Sequence, residues 1–427
     1  MLLIYRLLFP LTFLFFLPGL IIKLIRRPGY KKTYAERFGI FSRERRKELR
    51  EWQGAVWIHA VSVGETNLAL TVLNRWTAAD PARKFILSTT TTTAQEIARK
   101  KAPAAAKVIF CPLDFFFGVR RVLDLLKPSA LVIFETELWP DLIVTAHRRG
   151  IRTALVNARI SDKSFRGYRR FRMFFRPVLN AFDAVGVQTQ LDGERIGEIA
   201  PALAGKLTVT GNIKFDQLPP EGPGFDYSTV FGPDCGPVIT AASTHHPEEA
   251  LILSAFREVR RSFPAARLTL VPRHAERGGE IEKLIVSAGF RCLRRSTGAG
   301  PEGVPDVLLA DTTGELVRFL KSADLVIMGK TLAGNDEGQN IIEPAVMGKA
   351  IVCGPKLRNF RQAIDALKKH HAVRIAQTDD ELAPAVTELI SDPEKARALG
   401  RAAAETMLAN RGALEKTLQI LKDLLSK

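Results

Sequence analysis

The feature that most constrains the fold of this chain is a repeated alternation of short β-rich segments with helical stretches. These segments form two series, one before residue 216 and one after residue 237. Strands that alternate with helices are typical of βαβ units, whose strands lie parallel in one sheet. The sequence therefore predicts an α/β fold with two Rossmann-like domains. The predicted strands are residues 56–59, 85–88, 108–110, 130–134, 153–157, 183–188, 207–210, 238–242, 267–271, 307–309, 324–328 and 350–352.

A segment rich in proline and glycine separates the two series. Residues 216–237 contain five prolines and four glycines, a density that disfavours a helix or a central strand. We therefore predict an interdomain linker over 216–237, a first domain over 33–215 and a second domain over 238–427. The Ala-, Leu-, Lys- and Glu-rich stretch from residue 393 onward predicts terminal helix, which we assign to the second domain.

The amino-terminal residues predict a membrane anchor over residues 1–32. Residues 7–22 carry no charge, and five lysines and arginines follow them before residue 33. This run is shorter than the roughly 20 residues of a full span, so a tilted span, an interfacial helix and a buried core helix all remain open. The basic flank predicts that the rest of the chain lies on the cytoplasmic side.

The excess positive charge of the chain is concentrated in two segments. The 62 lysines and arginines exceed the 45 acidic residues by 17, and residues 1–50 and 147–176 each carry a net charge of +9. In the second segment Arg166, Arg169 and Arg170 alternate with aromatic side chains, a pattern that fits a lipid headgroup at least as well as nucleic acid. We therefore predict a membrane surface as a partner, and no nucleic acid.

The spacing of cysteine and histidine indicates neither a disulfide framework nor a metal site. The four cysteines lie far apart with no CxxC pair, and the seven histidines form no HExxH motif. We therefore predict a reducing compartment and no metal bound by the protein.

Three carboxylates follow predicted strands of the first domain. Glu65 lies shortly after strand 56–59, and Glu135 and Glu137 follow strand 130–134. Ligands of doubly wound sheets bind at the carboxyl ends of the strands, so these carboxylates are candidate site residues. For Glu65 two interpretations stay open: a carboxylate that stabilises a helix amino terminus, or a general base that removes a proton from a hydroxyl nucleophile.

Basic and glycine-rich segments follow strands of the second domain. Arg273 and His274 come directly after strand 267–271 and predict a phosphate contact, with an ordinary basic surface loop as the alternative. Residues 311–315 open a predicted helix whose backbone N–H groups can meet a ligand. The glycines within residues 329–343 suit a close approach to a nucleotide phosphate, although the Walker pattern is absent.

Seven motifs occur in order along the chain: WIHAVSVGET, FETELWP, NARISDKSFRGYRRF, TGNIKFD, VPRH, DTTGEL and NIIEP. In this order they resemble the 3-deoxy-D-manno-octulosonic acid (Kdo) transferases of lipopolysaccharide synthesis, over nearly the whole chain. The resemblance implies a membrane-associated GT-B glycosyltransferase with two Rossmann-like domains facing a central cleft, the first binding the acceptor and the second CMP-Kdo. It implies transfer of Kdo from CMP-Kdo to the lipid A precursor lipid IVA, with inversion, at the cytoplasmic face of the inner membrane and without a metal or other cofactor.

The resemblance also implies roles for individual residues. Glu65 would be the proton acceptor, and Glu135 and Lys214 would stabilise the transition state. The basic and aromatic pattern of the second basic segment, rather than the resemblance, predicts that Arg166, Arg169 and Arg170 contact the acceptor headgroup. The donor would be held by Pro272, Arg273, His274, Thr313, Gly314, Glu315, Asn340, Ile341, Ile342 and Glu343.

Two alternatives to a transferase follow from the sequence: a GT-B-like nucleotide-sugar epimerase, and a non-catalytic lipid-binding protein of the same fold. An epimerase would need no membrane anchor, and a lipid-binding protein would not be expected to retain Glu65, Arg273 and Glu343 together. Lys330 and Gln339 replace the family's usual residues in the glycine-rich segment, so the resemblance does not determine which atoms contact the donor there. The sequence also leaves open how many Kdo units are transferred.

Overall fold

The structure, a computed structural model, describes residues 2–12, 34–217 and 221–426. The chain folds into two compact units. The first comprises Met1–Asp216 together with Arg411–Lys427, and the second comprises Gln217–Asn410.

The first unit is built on a parallel sheet. Its strands are β1 (Val56–Ala60), β2 (Phe85–Thr89), β3 (Ala106–Phe110), β4 (Ala130–Phe134), β5 (Arg152–Ala158), β6 (Ala184–Val187) and β7 (Leu207–Val209). Within residues 34–217 these seven strands pair in parallel in the order β3-β2-β1-β4-β5-β6-β7. The order reverses between the neighbours β1 and β4. Such a reversal leaves a crevice at the carboxyl ends of the two strands.

Apolar cores lie on both faces of this sheet because successive strand residues point to opposite sides. Trp57 of β1 belongs to one core, and its neighbour Ile58 belongs to the other. Strands covered on both faces read as continuous apolar runs, which explains why the sequence revealed them. The helices of this unit are α1 (Arg43–Arg50), α2 (Val63–Ala79), α3 (Thr92–Lys101), α4 (Phe116–Leu126), α5 (Pro140–Arg148), α6 (Asp162–Arg170), α7 (Arg172–Leu179) and α8 (Gln190–Ile199).

The amino-terminal segment packs on the first unit through polar contacts. Residues 2–12 are helical. The Tyr5 hydroxyl donates a hydrogen bond to Asp114 (2.8 Å), and Arg6 Nε lies 2.6 Å from Asp141 Oδ1. Both carboxylate residues are buried, each with 1% of its surface exposed. Most of the predicted anchor, residues 13–32, lies outside the described residues; among the helices that are described, none has the length and apolarity to span a membrane.

The second unit repeats the parallel α/β plan. Its strands are β8 (Val238–Thr244), β9 (Arg267–Pro272), β10 (Cys292–Arg294), β11 (Val307–Leu309), β12 (Leu325–Met328), β13 (Ala350–Cys353) and β14 (Arg374–Ile375). Within residues 221–410 they pair in parallel in the order β10-β11-β9-β8-β12-β13-β14. The order reverses between β8 and β12. The helices are α9 (Ser228–Phe231), α10 (Glu248–Ser262), α11 (Gly278–Ser287), α12 (Leu316–Ser322), α13 (Ile342–Val346), α14 (Arg361–Lys369), α15 (Leu382–Ser391) and α16 (Pro393–Ala409).

Each strand predicted from the sequence is confirmed, with ends that shift by at most two residues. The prediction missed β10 and β14, at the two edges of the second sheet. These strands have three and two residues and each contains an arginine, so neither forms an apolar run.

The prediction that residues 216–237 are a linker is wrong for most of the segment. Phe225, Tyr227 and Phe231 are buried in a core of the second unit together with Phe319. The segment also holds the single helical turn α9. Aromatic side chains between the prolines and glycines supply apolar area to bury, and that burial outweighs the low helix and strand propensity of the surrounding residues.

The assignment of the terminal helical region to the second domain is also wrong in part. α16 belongs to the second unit, but the last helix, α17 (Ala413–Ser426), belongs to the first. Leu418, Leu421 and Leu424 of α17 are buried in the core that contains Ile58. An apolar stripe on a helix predicts that one face is buried, but it does not identify the core that the face covers.

Candidate active site

Glu65 and Glu135 lie at the same edge of the first sheet. Glu65 follows β1 and Glu135 follows β4, and these strands are paired neighbours. Their carboxyl ends meet where the strand order reverses, which is the placement expected of ligand-binding residues in a doubly wound sheet. The structure thus brings together two of the predicted site residues, while their roles stay predictions.

Glu65 lies in the first turn of α2 and its carboxylate is fixed by local hydrogen bonds. Val61 N donates to Oε2 (2.7 Å), and the Ser62 hydroxyl donates to Oε1 (2.8 Å). Ser62 is the N-cap of α2 and accepts in turn from Glu65 N (3.3 Å). This geometry resembles a capping box and supports the helix-stabilising interpretation. Because each carboxylate oxygen has two lone pairs, the same geometry still leaves Glu65 able to accept a proton.

Burial makes Glu65 a stronger base than an exposed glutamate. Its residue surface is 6% exposed. Loss of water raises the pKa of its carboxyl group, the hydrogen bonds from Val61 and Ser62 oppose that rise, and the charge of Glu135 adds to it. A general base that works near neutral pH needs a pKa shifted in this direction.

Glu135 and Lys214 form an ion pair at this edge. Lys214 Nζ lies 3.7 Å from Glu135 Oε1, and each side chain is 25% exposed. Glu135 adopts a φ of +54°, in the left-handed region that non-glycine residues seldom occupy. Lys214 lies in the 3₁₀ turn Ile213–Asp216, and Asn157 Oδ1 fixes this turn by accepting from Ile213 N (3.0 Å). Glu135 and Lys214, which the resemblance predicts to stabilise the transition state together, are therefore in contact.

Glu137 completes a group of three carboxylates. Burial and the charges of Glu65 and Glu135 raise the pKa of Glu137 to about 7. Glu137 also lies close enough to Tyr168 of α6 to add to the rise in that hydroxyl's pKa, which burial causes in the main. Sequence reasoning singled out Glu137 but gave it no role, because only the fold reveals that three like charges share one half-buried edge.

His59, beside this group, is neutral. It lies on β1 with none of its surface exposed, and burial lowers the pKa of its ring to about 4. Its Nδ1 lies 3.0 Å from the Ser88 hydroxyl, and its ring packs edge-on against Trp139 with centroids 6.0 Å apart. His59 therefore supports the site by packing rather than by carrying charge.

The predicted headgroup contacts, Arg166, Arg169 and Arg170, lie on α6 with their side chains exposed. Arg169 makes one ion pair, at 3.6 Å with the exposed Glu198. The charge of Glu137 adds to the raised pKa of the Tyr168 hydroxyl on the same helix, so Tyr168 lies within electrostatic range of that carboxylate. Beyond α6, Phe171 and Met173 are 59% and 73% exposed, which leaves large apolar side chains on a basic surface.

The predicted donor-binding residues come together at the carboxyl edge of the second sheet. They follow β9, β11 and β12, and the sheet order β11-β9-β8-β12 places these strands on either side of β8. Pro272 is the last residue of β9, residues 313–315 precede α12, and residues 340 and 341 precede α13. Parallel strands bring all these segments to one edge of one sheet, as the sequence predicts.

Arg273 and His274 extend from the end of β9. The Arg273 side chain is exposed, while its backbone N donates to Thr244 O at the end of β8 (3.0 Å). The His274 ring lies 5.5 Å from the His245 ring, centroid to centroid. Arg273 can therefore reach an anion from a backbone that is fixed to the central strand.

Glu315 is engaged by neighbouring side chains. Arg295 and Arg318 approach it at 3.0 and 3.4 Å, and the Thr312 hydroxyl donates to it at 2.5 Å. The Arg295 contact, followed by the Thr312 bond, lowers the pKa of the Glu315 carboxyl group. Next to it, Gly314 has a φ of +92° and open space where a side chain would stand, so a ligand can approach the backbone there.

The NIIE motif, with Asn340 and Glu343 at its ends, offers polar groups around two buried side chains. Ile341 and Ile342 are buried, so a ligand meets only their backbone atoms. Asn340 Oδ1 accepts from Ile342 N (3.3 Å). Burial raises the pKa of Glu343, and a hydrogen bond with Asn340 opposes that rise.

Glu248 organises the centre of this edge and was missed from the sequence. Its residue surface is fully buried, and its Oε1 accepts from His245 N (2.7 Å) and Lys330 N (2.6 Å). It thereby joins the segments that follow β8 and β12. Burial raises its pKa to about 7. The available signal was two adjacent glutamates, which the structure places at the start of α10, but acidic residues are common at helix starts for helix-dipole reasons alone.

Within the described ranges 2–12, 34–217 and 221–426, no three His, Cys, Asp or Glu side chains are grouped as the ligands of a metal ion would be. The predictions that no metal and no cofactor take part remain predictions.

Comparison with known proteins identifies relatives over most of the chain. A sequence-family model described as 3-deoxy-D-manno-octulosonic-acid transferase matches residues 32–217. A 3-deoxy-D-manno-octulosonic acid transferase of Haemophilus influenzae is 30% identical over 94% of this chain and 94% of its own length. One from Bordetella pertussis is 33% identical over 86% of this chain and 87% of its own length.

Solved structures match the fold at low sequence identity. A UDP-GlcNAc 2-epimerase from Neisseria meningitidis has a TM-score of 0.59 at 14% identity, over 86% of this chain and 100% of its own. A glycosyltransferase from Rickettsia africae has a TM-score of 0.57 at 12% identity, over 87% of this chain and 99% of its own. These structures support the fold alone. The chain has an α/β GT-B fold. Its similarity to the transferases of Haemophilus influenzae and Bordetella pertussis shows that it belongs to the 3-deoxy-D-manno-octulosonic acid (Kdo) transferase family of glycosyltransferases.

Proposed function

We propose that this protein transfers Kdo from CMP-Kdo to the lipid A precursor lipid IVA, with inversion at the anomeric carbon, in lipopolysaccharide synthesis. Family membership supports Kdo as the transferred group. The observation that carries the residue assignment is the meeting of Glu65 and the Glu135–Lys214 pair at the β1/β4 edge. The donor nucleotide, the acceptor and the stereochemistry rest on the resemblance of the motifs.

Glu65 is the general base of the proposed step. The acceptor hydroxyl oxygen attacks the anomeric carbon of Kdo, and the bond from that carbon to the phosphate oxygen of CMP breaks. The hydroxyl proton passes to Glu65, and CMP leaves with the bonding electron pair. Attack from the face opposite CMP inverts the configuration. The bonds from Val61 and Ser62 keep the base fixed during this transfer.

Positive charge from the chain stabilises the negative charge that develops on the leaving group. Arg273 contacts the phosphate, and Lys214, oriented by Glu135, stabilises the transition state. Asn340, Glu343 and the backbone at Gly314 hold the nucleotide. Since these groups supply the required charge, the reaction as proposed needs no metal, and addition of EDTA should leave its rate unchanged.

The protein works at the cytoplasmic face of the inner membrane. Support comes from the uncharged residues 7–22 with their basic flank, and from Leu3 and Leu7, which are 73% and 69% exposed on the amino-terminal helical segment. The exposed arginines of α6 meet the phosphorylated headgroup of the acceptor. A lipid acceptor explains both basic segments together.

The test is an assay of the full-length protein with CMP-Kdo and lipid IVA, in which the product mass is followed. A gain of one or more Kdo units with release of CMP supports the proposal and counts the units. Interconversion of a nucleotide sugar with no lipid product would support an epimerase. Binding of lipid and CMP without turnover would support a non-catalytic lipid-binding protein.

A further inference from the structure

The donor in the proposed reaction carries two negative groups, and the residues assigned above account for one of them. The phosphate of CMP-Kdo faces Arg273 in that assignment. The transferred sugar is an acid, so its carboxylate is a second anion that loses hydration when the donor binds. A buried or half-buried carboxylate needs a cation or several hydrogen-bond donors to offset its loss of hydration. The second sheet should therefore offer another cation at the same edge.

Lys330 occupies that edge directly after β12. Its neighbour Gly329 lies so close to the end of β8 that a Cβ there would stand 2.4 Å from Ser243 O. Gly329 N donates to Ala242 O (2.9 Å), and Lys330 N donates to the buried Glu248 (2.6 Å). Lys330 itself has a φ of +61°. Its backbone is thus fixed against the central strand, at the point where the strand order reverses.

Lys330 lies among the residues predicted to hold the donor. His245 N and Lys330 N donate to the same oxygen of Glu248 (2.7 and 2.6 Å), so the two residues are neighbours. The charge of Lys330 adds to the lowering of the His245 ring pKa, which burial causes in the main. The His245 ring lies 5.5 Å from that of His274, and His274 follows Arg273. Two histidine rings therefore lie between the predicted phosphate contact and Lys330, with a cation at each end of this edge.

The side chain of Lys330 is already paired with a carboxylate of its own loop. Its Nζ forms an ion pair with Glu337 Oε2, and Gly338 N donates to Lys330 O (2.8 Å) to close the loop. The Glu337 side chain is 45% exposed and that of Lys330 is 25% exposed. A partly exposed ion pair of this kind is weak, so an incoming carboxylate of the same chemistry can replace Glu337.

We propose that Lys330 binds the carboxylate of the sugar acid carried by the donor, and that Glu337 occupies Lys330 until the donor arrives. The inference rests on the proposed function and adds a residue that determines specificity for an acidic sugar. It predicts that the two members of one ion pair affect donor use in opposite directions.

The experiment compares Lys330→Gln and Glu337→Gln in steady-state transfer with varied CMP-Kdo. Loss of the Lys330 charge should raise the KM for CMP-Kdo by about 10- to 100-fold, the usual worth of a charged hydrogen bond. Removal of the competing carboxylate in Glu337→Gln should lower that KM by about two- to fivefold. The matched control is Lys283→Gln, an exposed lysine on α11, which should leave the KM unchanged.

Calorimetry with CMP alone separates the two anions of the donor. CMP lacks the sugar acid, so its affinity for the Lys330→Gln variant should equal that of the wild type. A tenfold loss of CMP affinity would assign Lys330 to the phosphate and overturn the proposal. An increase in KM for both variants would mean that the ion pair only holds the loop together, and would overturn it as well. Absence of Kdo transfer by the wild type would instead refute the proposed function from which the inference starts.

Discussion

The two units present opposite charge at the same topological feature. Where the strand order of the first sheet reverses, the chain carries the carboxylates Glu65, Glu135 and Glu137. Where the order of the second sheet reverses, Lys330 follows β12, and Arg273 follows β9, which pairs with the other side of β8. The fold therefore determines where a ligand binds, at the carboxyl ends of parallel strands, but it does not determine which reaction occurs there. The residues after the strands make one edge suited to accept a proton and the other suited to hold an anion.

The largest expected effect is loss of turnover when the base of the carboxylate edge is removed. Glu65→Gln keeps the hydrogen bonds of the capping box within reach but cannot accept the acceptor's proton. General-base catalysis is worth about 10²- to 10⁴-fold in rate, and kcat for Kdo transfer should fall by that factor. The control is Glu51→Gln, an exposed glutamate after α1. Turnover near the wild-type value in Glu65→Gln would mean that another group is the base.

The next effect concerns binding of the acceptor, which is anionic and would be repelled by the carboxylates of the first unit. We expect the exposed arginines of α6 to supply the missing positive charge. Replacing Arg166, Arg169 and Arg170 together by Gln should weaken use of vesicle-bound acceptor by about 100-fold, at about 1 kcal/mol for each charge near an anionic surface. The matched control replaces Arg43, Arg46 and Arg50, which are exposed on α1. An equal loss in both triple variants would point to general charge rather than to a headgroup site.

A smaller effect concerns the stability of the first unit. Arg6 lies 2.6 Å from Asp141, which is buried at the start of α5. Arg6→Ala would leave that carboxylate without its cation and should lower the free energy of unfolding by about 1–3 kcal/mol in a denaturant titration. The control Arg46→Ala should have little effect on the free energy of unfolding. If Arg6→Ala is as stable as the wild type, the contact between Arg6 and Asp141 does not contribute to the stability of the first unit. Deletion of residues 1–32 removes Arg6 as well, so lost activity in that truncation must first be checked against unfolding.

The smallest effect is a pH dependence of stability at the carboxylate edge. The pKa of Glu137 in the folded chain, about 7, lies above its value of 4.5 when unfolded. A raised pKa stabilises the fold below pH 4.5, and this contribution is lost as the pH rises through about 7. Glu137→Gln should therefore gain stability relative to the wild type as the pH rises from 4.5 to about 7, by less than about 1 kcal/mol per pH unit at this half-buried site, and the difference should level off above that pH. Thermal unfolding at pH 5, 6 and 7 measures it, and a difference independent of pH would contradict it.

The sequence predicted the sheets because parallel strands covered on both faces are continuous apolar runs. It also predicted which residues follow those strands, and thereby the edges at which Glu65 and Arg273 lie. It did not predict that α17 packs on the first unit, because an apolar stripe on a helix does not show which core the helix covers. The aromatic residues of the predicted linker were missed for a related reason: prolines and glycines describe local backbone preference, whereas burial of Phe225 depends on a distant core.

Burial and contact account for the site features that sequence reasoning missed. The sequence named Glu137 as a candidate but did not predict its raised pKa, which depends on burial and on the charges of Glu65 and Glu135. It missed Glu248, which is fully buried and accepts hydrogen bonds from the backbone of His245 and Lys330. Neither property can be read from neighbours in sequence. The pairing of Lys330 with Glu337 likewise appears only when the loop is folded.

The central claim is that the carboxylate edge performs the proton transfer while the cationic edge holds the donor. Calorimetric titration of CMP into the wild type, Glu65→Gln and Arg273→Ala tests it most directly. We expect wild-type affinity for Glu65→Gln, despite its lost turnover, and an affinity weakened by about 10- to 100-fold for Arg273→Ala. Weakened CMP binding in Glu65→Gln together with wild-type binding in Arg273→Ala would contradict this division of roles.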